Sequence, residues 1–193
     1  MVATVAVEFW ATGSDGSPNK TSAATLRFRT DDSPNTIDNT NSIVIPTAGS
    51  NFSFWQHVAL AISGTFTQVD NIRFHSDGTV GWTFGAAGEL SRGNRDSGDH
   101  GCTEANYDVA TGTPATTGDE INDAVNGHGF YEPETVSTAD VDSDTSGSPA
   151  TIDSAAHTSS ESSKAVVLQV KLDSDATLGA QSSETLTFLY DEI

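Results

Sequence analysis

Two groups of side chains in this chain are of types and spacings that do chemistry. Asp140, Asp142 and Asp144 place three carboxylates two residues apart. Calcium loops open with that spacing, because alternate side chains converge on one cation. An EF-hand loop counted from Asp140 needs Gly at its sixth position and Glu at its twelfth. Thr145 and Thr151 stand there, so the ligand set is incomplete, and the triplet is carried as a candidate Ca²⁺ or other cation site. His100 and Cys102 offer two softer ligands on either side of Gly101, with His128 as a third. Zinc usually takes four ligands at tighter spacing. The chain has one cysteine, which also excludes an intrachain disulfide. His57 and His75 occupy outward strand positions and read as surface histidines.

No nucleophile elbow, P-loop, dinucleotide fingerprint or zincin helix is present. Glycoside hydrolysis needs two carboxylates about 5–10 Å apart in space, and nothing singles out a pair. The expectation is therefore a protein that is not an enzyme and carries no organic cofactor. Aromatic platforms on β-sandwiches hold sugar rings in many carbohydrate-binding modules, so the three Trp residues need weighing. Trp82 shares the apolar parity of Val80 and Phe84 and is expected in the core. Trp10 and Trp55 lie opposite the apolar parity of their strands. Partial burial against the long Gly/Ser-rich segment is the favoured reading for both, with Trp10 or Trp55 kept as the candidate for a host-surface glycan and Trp55 as a candidate contact residue.

The charge balance narrows the partners. Eight Lys+Arg against 27 Asp+Glu give a net charge of −19. Such a surface repels nucleic acid and anionic lipid, so neither is expected as a partner. In molar salt the Debye length falls to about 3 Å, and repulsion between carboxylates costs little. Abundant acids with few lysines fit a protein that works in high salt. Against this background Arg27 and Arg29, on the outer face of a short expected strand, stand out, as does Arg73. Local pairing with acids is the simpler reading, and docking onto an acidic subunit is the sharper one.

The elements that must position these groups are strands. Val5, Val7 and Phe9 alternate at the N-terminus, where neither a basic leader nor an apolar run long enough to span a membrane is found. Leu26 and Phe28 suggest a short strand, Asp31 to Asn35 a turn, and Ile43 to Ile45 an edge strand before Pro46. The segment from Phe52 to Phe84 is the expected centre. Phe54, Val58, Leu60 and Ile62 share one parity, Ile72 and Phe74 follow, and Asp77-Gly78 turns into Val80, Trp82 and Phe84. These are expected to form a three-stranded meander. Residues 85–164 are rich in Gly, Ser, Thr and Asp. They are expected to pack on the sandwich or project from it, with a short strand at Tyr107 and Val109 and one short helix over Asp119–Val125. Val166, Leu168, Val170 and Leu172, then Leu186, Phe188 and Tyr190, give two closing strands. The fold class is all-β, a single antiparallel β-sandwich over residues 1–193, jelly-roll or Ig-like, with the loop-rich insertion and at most one short helix.

Two stretches carry a resemblance. One runs from Phe54-Trp55-Gln56-His57-Val58 through Ile62-Ser63-Gly64 to Val69-Asp70-Asn71-Ile72-Arg73-Phe74. The other is the C-terminal Glu184-Thr185-Leu186-Thr187-Phe188-Leu189-Tyr190-Asp191-Glu192. Together they resemble virion structural proteins of tailed viruses, which often end on a strand of the form T-x-T-F-x-Y-D-E. The likeness spans about a third of the chain and rests on strand sequences. With the acidic composition it implies a structural protein of a haloarchaeal tailed virus, located in the virion. A capsid decoration or turret subunit is the first expectation, and a tail or baseplate component or a host-adhesion module the alternatives. The implied partners are other virion proteins, the major capsid protein above all, and further copies of the chain as a homo-oligomer.

Overall fold

The computed structural model describes residues 2–22, 25–33, 39–78, 81–179 and 181–193. Val80 and the Pro34-Asn35 half of the expected turn lie outside these residues. Thirteen strands follow one another: β1 Ala3–Ser14, β2 Ser17–Ser22, β3 Ser50–Phe52, β4 Gln56–Gly64, β5 Val69–Ser76, β6 Glu89–Gly93, β7 Gly112–Thr113, β8 Thr117–Gly118, β9 Thr138–Asp140, β10 Ala150–Asp153, β11 Glu161–Ser162, β12 Val166–Asp173 and β13 Leu186–Glu192. Among the described residues the helical content is two single 3₁₀ turns, Glu104–Asn106 and Val141–Ser143. The all-β, antiparallel, sandwich-like class read from the alternation is the class observed.

The large sheet runs β2-β1-β4-β12-β3-β8-β7, with β11 beside β4, β6 along the other side of β12, and β9 beyond β6. The small sheet is β10-β5-β13. Consecutive β4 and β5 therefore belong to different sheets, which corrects the expected meander. The reason is burial. Leu60 and Ile62 on β4 need an apolar cover, and Val69 and Ile72 on β5 supply it by facing them. Residues 81–85 form no strand; Trp82 and Phe84 pack edge to face at 5.1 Å instead. Residues 25–29 and 43–45 are also irregular, although Leu26, Phe28 and Ile43 still pack against the core.

A register slip organises the centre. Phe52 lies opposite Lys171, whereas Gln56 lies opposite Leu168. Ser53, Phe54 and Trp55 thus span the width of two residues on β12, a one-residue bulge. Ser53 keeps the ladder intact: its N–H donates to Val170 O at 2.8 Å, and its hydroxyl accepts from Val170 N at 3.0 Å. Beyond the bulge the faces exchange. Phe54 and Trp55 join one core, while Val58 joins the other.

Both faces of the large sheet are consequently buried. Its inner face meets the small sheet through Val58, Leu168 and Val170 against Phe74, Ile152 and Phe188. The insertion packs over the outer face, bringing Cys102, Tyr107, Ile121 and Tyr131 against Trp10, Trp55, Ala59 and Val167. Each large apolar side chain buried this way contributes about 1.5–3 kcal/mol. The helix expected over Asp119–Val125 is a pair of turns instead. The Asp123 carboxylate accepts from the N–H of Val125 and Asn126, both at 2.8 Å, and so competes with helical bonding. Ile121 is buried while Val125 is exposed. Tyr107 and Val109 are likewise outside any strand.

Within the insertion, a buried ion pair ties β6 to the turn after β9. Arg92 Nε and Nη2 contact Asp144 Oδ2 and Oδ1 at 2.5 and 3.0 Å. Removing one partner would strand the other charge in the interior. Asp144→Ala is expected to cost about 3–5 kcal/mol, measured by chemical denaturation, with the loss persisting in molar salt because buried pairs are screened little. Gln56 carries the opposite defect. Its side chain is buried, and its Oε1 has no partner among the described residues. Gln56→Met is expected to raise stability by about 1 kcal/mol in the same measurement.

Candidate metal centre

Three distant segments deliver His57, Cys102 and His128 to one place. His57 is the second residue of β4, paired across the sheet with Trp10 on one side and Val167 on the other. Its expected outward position is outward only with respect to the inner core, because the insertion covers that face. Cys102 is held by a two-way backbone bridge to Ala165, with both N–H···O bonds at 2.8 Å. The preceding Gly101 allows this approach: a Cβ there would overlap Ile152 O. His128 is set by turns, with its N–H on Ile121 O at 2.9 Å and Tyr131 N–H on its own carbonyl at 2.8 Å.

The three donor atoms lie within 4.8 Å of one another, and all three residues are buried. The His57 and His128 Nε2 atoms are 3.0 Å apart. Burial drives the His57 pKa well below its ordinary value, with the neighbouring His128 adding to the effect. Burial likewise brings His128 down to about 3, against smaller opposing contributions from its own backbone and Asp15. The Cys102 thiol is pushed up, first by burial and then by the Asp108 charge. Without a metal the cluster is two neutral imidazoles and a thiol. One Nε2–H donates to the other ring. The thiol points at the carbonyls of Asn106 and Thr103, at 3.1 and 3.3 Å. Aromatic rings wall the cluster: Tyr107 lies 4.6 Å from the His57 ring, and Trp55 and Tyr131 lie 5.5 and 4.9 Å from His128.

An open depression lies above it, lined by Asp15, Arg95, Asn106, Tyr107, Asp108 and Phe130. Tyr107 and Asn106 belong to both, one touching His57 and the other Cys102. Asp15 and Asp108 put two interacting carboxylates in the mouth beside Arg95, which is paired to Glu134; burial and the nearby Asp15 raise the Asp108 pKa.

The expected soft-ligand trio needs one correction. His100 is elsewhere, its Nδ1 accepting from Arg95 N at 3.1 Å, and His57 takes its place. The signal for His57 was a lack of charge. Among so many acids, no Asp, Glu, Lys or Arg occurs between Asp38 and Asp70, so neither face of β4 is built for water. The carboxylate triplet fares differently. Asp144 is consumed by Arg92, and Asp140 Oδ1 accepts from Asp142 N at 2.9 Å as a turn cap. Among the described residues, His57, Cys102 and His128 are the group whose donor atoms converge.

The remaining contact residues separate clearly. Trp55 is buried and donates its Nε1–H to Asp108 O at 2.8 Å, and Trp10 is buried with its Nε1–H on Glu8 at 2.8 Å. Neither ring is a platform for a ligand. Arg29 is buried against Asp31 at 2.8 Å, and Arg73 pairs with Asp191 at 3.1 Å. His75 is half-buried, with Nδ1 at 2.6 Å from Ser76 O. Arg27 is exposed and makes no ion pair among the described residues.

A scan against protein-family models, a search of curated proteins and a search of solved structures each found no match for this chain.

The two neutral histidines set a pH dependence. Their folded pKa values lie below the unfolded value of about 6.5, so the unfolded chain takes up protons first as the pH falls. The stability contribution is complete above that value and is lost downward toward the folded value. Among the described residues, Cys102, Tyr107 and Tyr131 lie around the pair, and Asp15, Asp108 and Arg95 line the mouth above it. Metal-free protein is expected to lose about 2–3 kcal/mol between pH 7.5 and 5.5, roughly 1.4 kcal/mol from each histidine over that window. The double variant His57→Phe, His128→Phe should flatten that profile. An unchanged slope in denaturation curves would show that the rings do not titrate as described.

Proposed function

We propose that this chain is a non-enzymatic structural subunit of a haloarchaeal tailed-virus particle, a capsid-surface decoration or turret subunit that contacts the major capsid protein and further copies of itself. The observation that carries the contact role is the distribution of positive charge. Of the eight cations, six are spent on internal pairs: Lys20–Glu104, Arg29–Asp31, Arg73–Asp191, Arg92–Asp144, Arg95–Glu134 and Lys164–Asp99. Of the remaining two, Lys171 is half-buried on β12 and Arg27 is exposed, on a chain of net charge −19. An exposed guanidinium on such a surface suits an acidic partner, and a second copy of the chain is one.

Other features support the same reading. The strands β2 and β13 close their sheets with one side that no other strand pairs among the described residues. Such edges suit pairing with a neighbouring chain. The histidines and cysteine that would serve catalysis are mostly inside, and two Trp rings that would serve glycan binding are buried. The viral assignment itself rests on the likeness of the β4–β5 and β13 sequences to virion proteins and on the acidic composition.

In molar KCl the recombinant chain is expected to form closed symmetric rings by light scattering and electron microscopy, and purified particles should carry it in rings on the capsid surface. Arg27→Glu should weaken ring formation at least tenfold while leaving the unfolding midpoint unchanged. A wild-type chain that stays monomeric in molar salt and is missing from particles would overturn the reading.

A further inference from the structure

We propose that His57, Cys102 and His128 bind one thiophilic metal ion of the zinc or copper(I) class, which clasps the insertion onto the outer face of the large sheet. The inference is independent of any role in a virion.

The donor set comes first. Two imidazole nitrogens and one sulfur converge within 4.8 Å, and no carboxylate joins them. Nitrogen and sulfur donors suit zinc and copper, whereas calcium and magnesium require oxygen. The spacing is close to what an ion needs. Two nitrogens each about 2.0–2.1 Å from a tetrahedral zinc stand about 3.4 Å apart. The Nε2 atoms are 3.0 Å apart, so each ring moves by only a few tenths of an ångström. Sγ lies within 4.8 Å of both nitrogens and would leave the Asn106 and Thr103 carbonyls to join them on the ion.

The surroundings fit a resident ion. The aromatic wall excludes water, and the mouth holding Asp15 and Asp108 gives a cation a way in past Tyr107 and Asn106. The neutral rings offer lone pairs without first losing a charge. His128 must change tautomer. Its Nδ1 accepts weakly from Phe130 N at 3.3 Å, and that contact is given up when the proton moves from Nε2 to Nδ1. Cys102 ligates as the thiolate, so one proton leaves to solvent for each ion bound. The mechanical consequence follows from where the ligands lie. His57 is in β4, Cys102 is bridged to the residue before β12, and His128 is in the turns of the insertion. One ion would close two long loops in a chain that cannot form a disulfide.

The test uses the full chain, prepared metal-free under reducing conditions, with Co²⁺ as the spectroscopic probe and Zn²⁺ as competitor. The expected result is one Co²⁺ per chain with a thiolate-to-cobalt charge-transfer band, bleached one for one by Zn²⁺. Zn²⁺ should also raise the unfolding midpoint, while Ca²⁺ at the same concentration should do neither. Cu⁺ displacing Zn²⁺ would assign the site to copper, and failure to displace it would assign the site to zinc. Cys102→Ser should abolish the band and weaken Zn²⁺ binding at least 100-fold. If that variant does not fold, the wild-type band decides alone, because a thiolate–cobalt bond can come from no other residue. A folded wild-type chain without the band, or Zn²⁺ uptake unchanged in folded Cys102→Ser, would overturn the proposal. The trio would then be a dry hydrogen-bonded histidine pair beside a thiol.

Discussion

Everything in this fold depends on the two-sided burial of β12. Its residues from Val166 to Val170 are almost wholly shielded, and successive side chains of a strand point to opposite faces. Two separate apolar surfaces must therefore be covered. The small sheet covers one through Phe74 and Ile152. The other is covered by chain that has almost no regular structure of its own. The insertion contributes Cys102, Tyr107, Ile121 and Tyr131 to that cover, and its loops are held by backbone bonds to sheet residues. A long irregular segment inside a compact protein normally signals a lid or a linker. Here it serves as the second wall of the sandwich.

The bulge at Ser53–Trp55 links this packing to the histidine–cysteine cluster. Without the slip in register, Trp55 and His57 would occupy the same face as one another but would not share it with Phe54. With it, Phe54 and Trp55 both join the core under the insertion, and His57 lies beside them between Trp10 and Val167. Close backbone approaches complete the arrangement. Gly93 lets the Tyr131 ring lie flat on β6, where a Cβ would overlap it, and Gly101 does the same service for Cys102. The chemistry-capable side chains are thus gathered by packing constraints that operate over most of the chain length.

Electrostatics divides along the same line. The interior holds a few ionised groups, and those are paired with good geometry, as Arg92 and Asp144 are. Asp153 adds a second example, accepting from His157 Nε2 at 3.1 Å and from Lys164 N at 2.9 Å while β10, β11 and β12 meet around it. The exterior carries nearly all the uncompensated carboxylates, where added salt would screen them. Exposed pairs such as Lys20–Glu104 contribute little by comparison.

What was legible in the sequence was the local pattern. The alternation of Val58, Leu60 and Ile62, of Ile72 and Phe74, and of Val166, Leu168 and Val170 determined strands and a sandwich, because a strand's two-residue period is written residue by residue. The net charge of −19 was legible too, since composition alone sets it. Tertiary structure decided the rest. It placed β4 and β5 in different sheets, turned His57 from an outer face into a second core, spent Asp144 on Arg92, and replaced His100 by His57 in the soft-ligand trio. Each of these depends on which distant segment covers which face. That outcome is set by long-range packing and by a single bulge, neither of which has a local period to read.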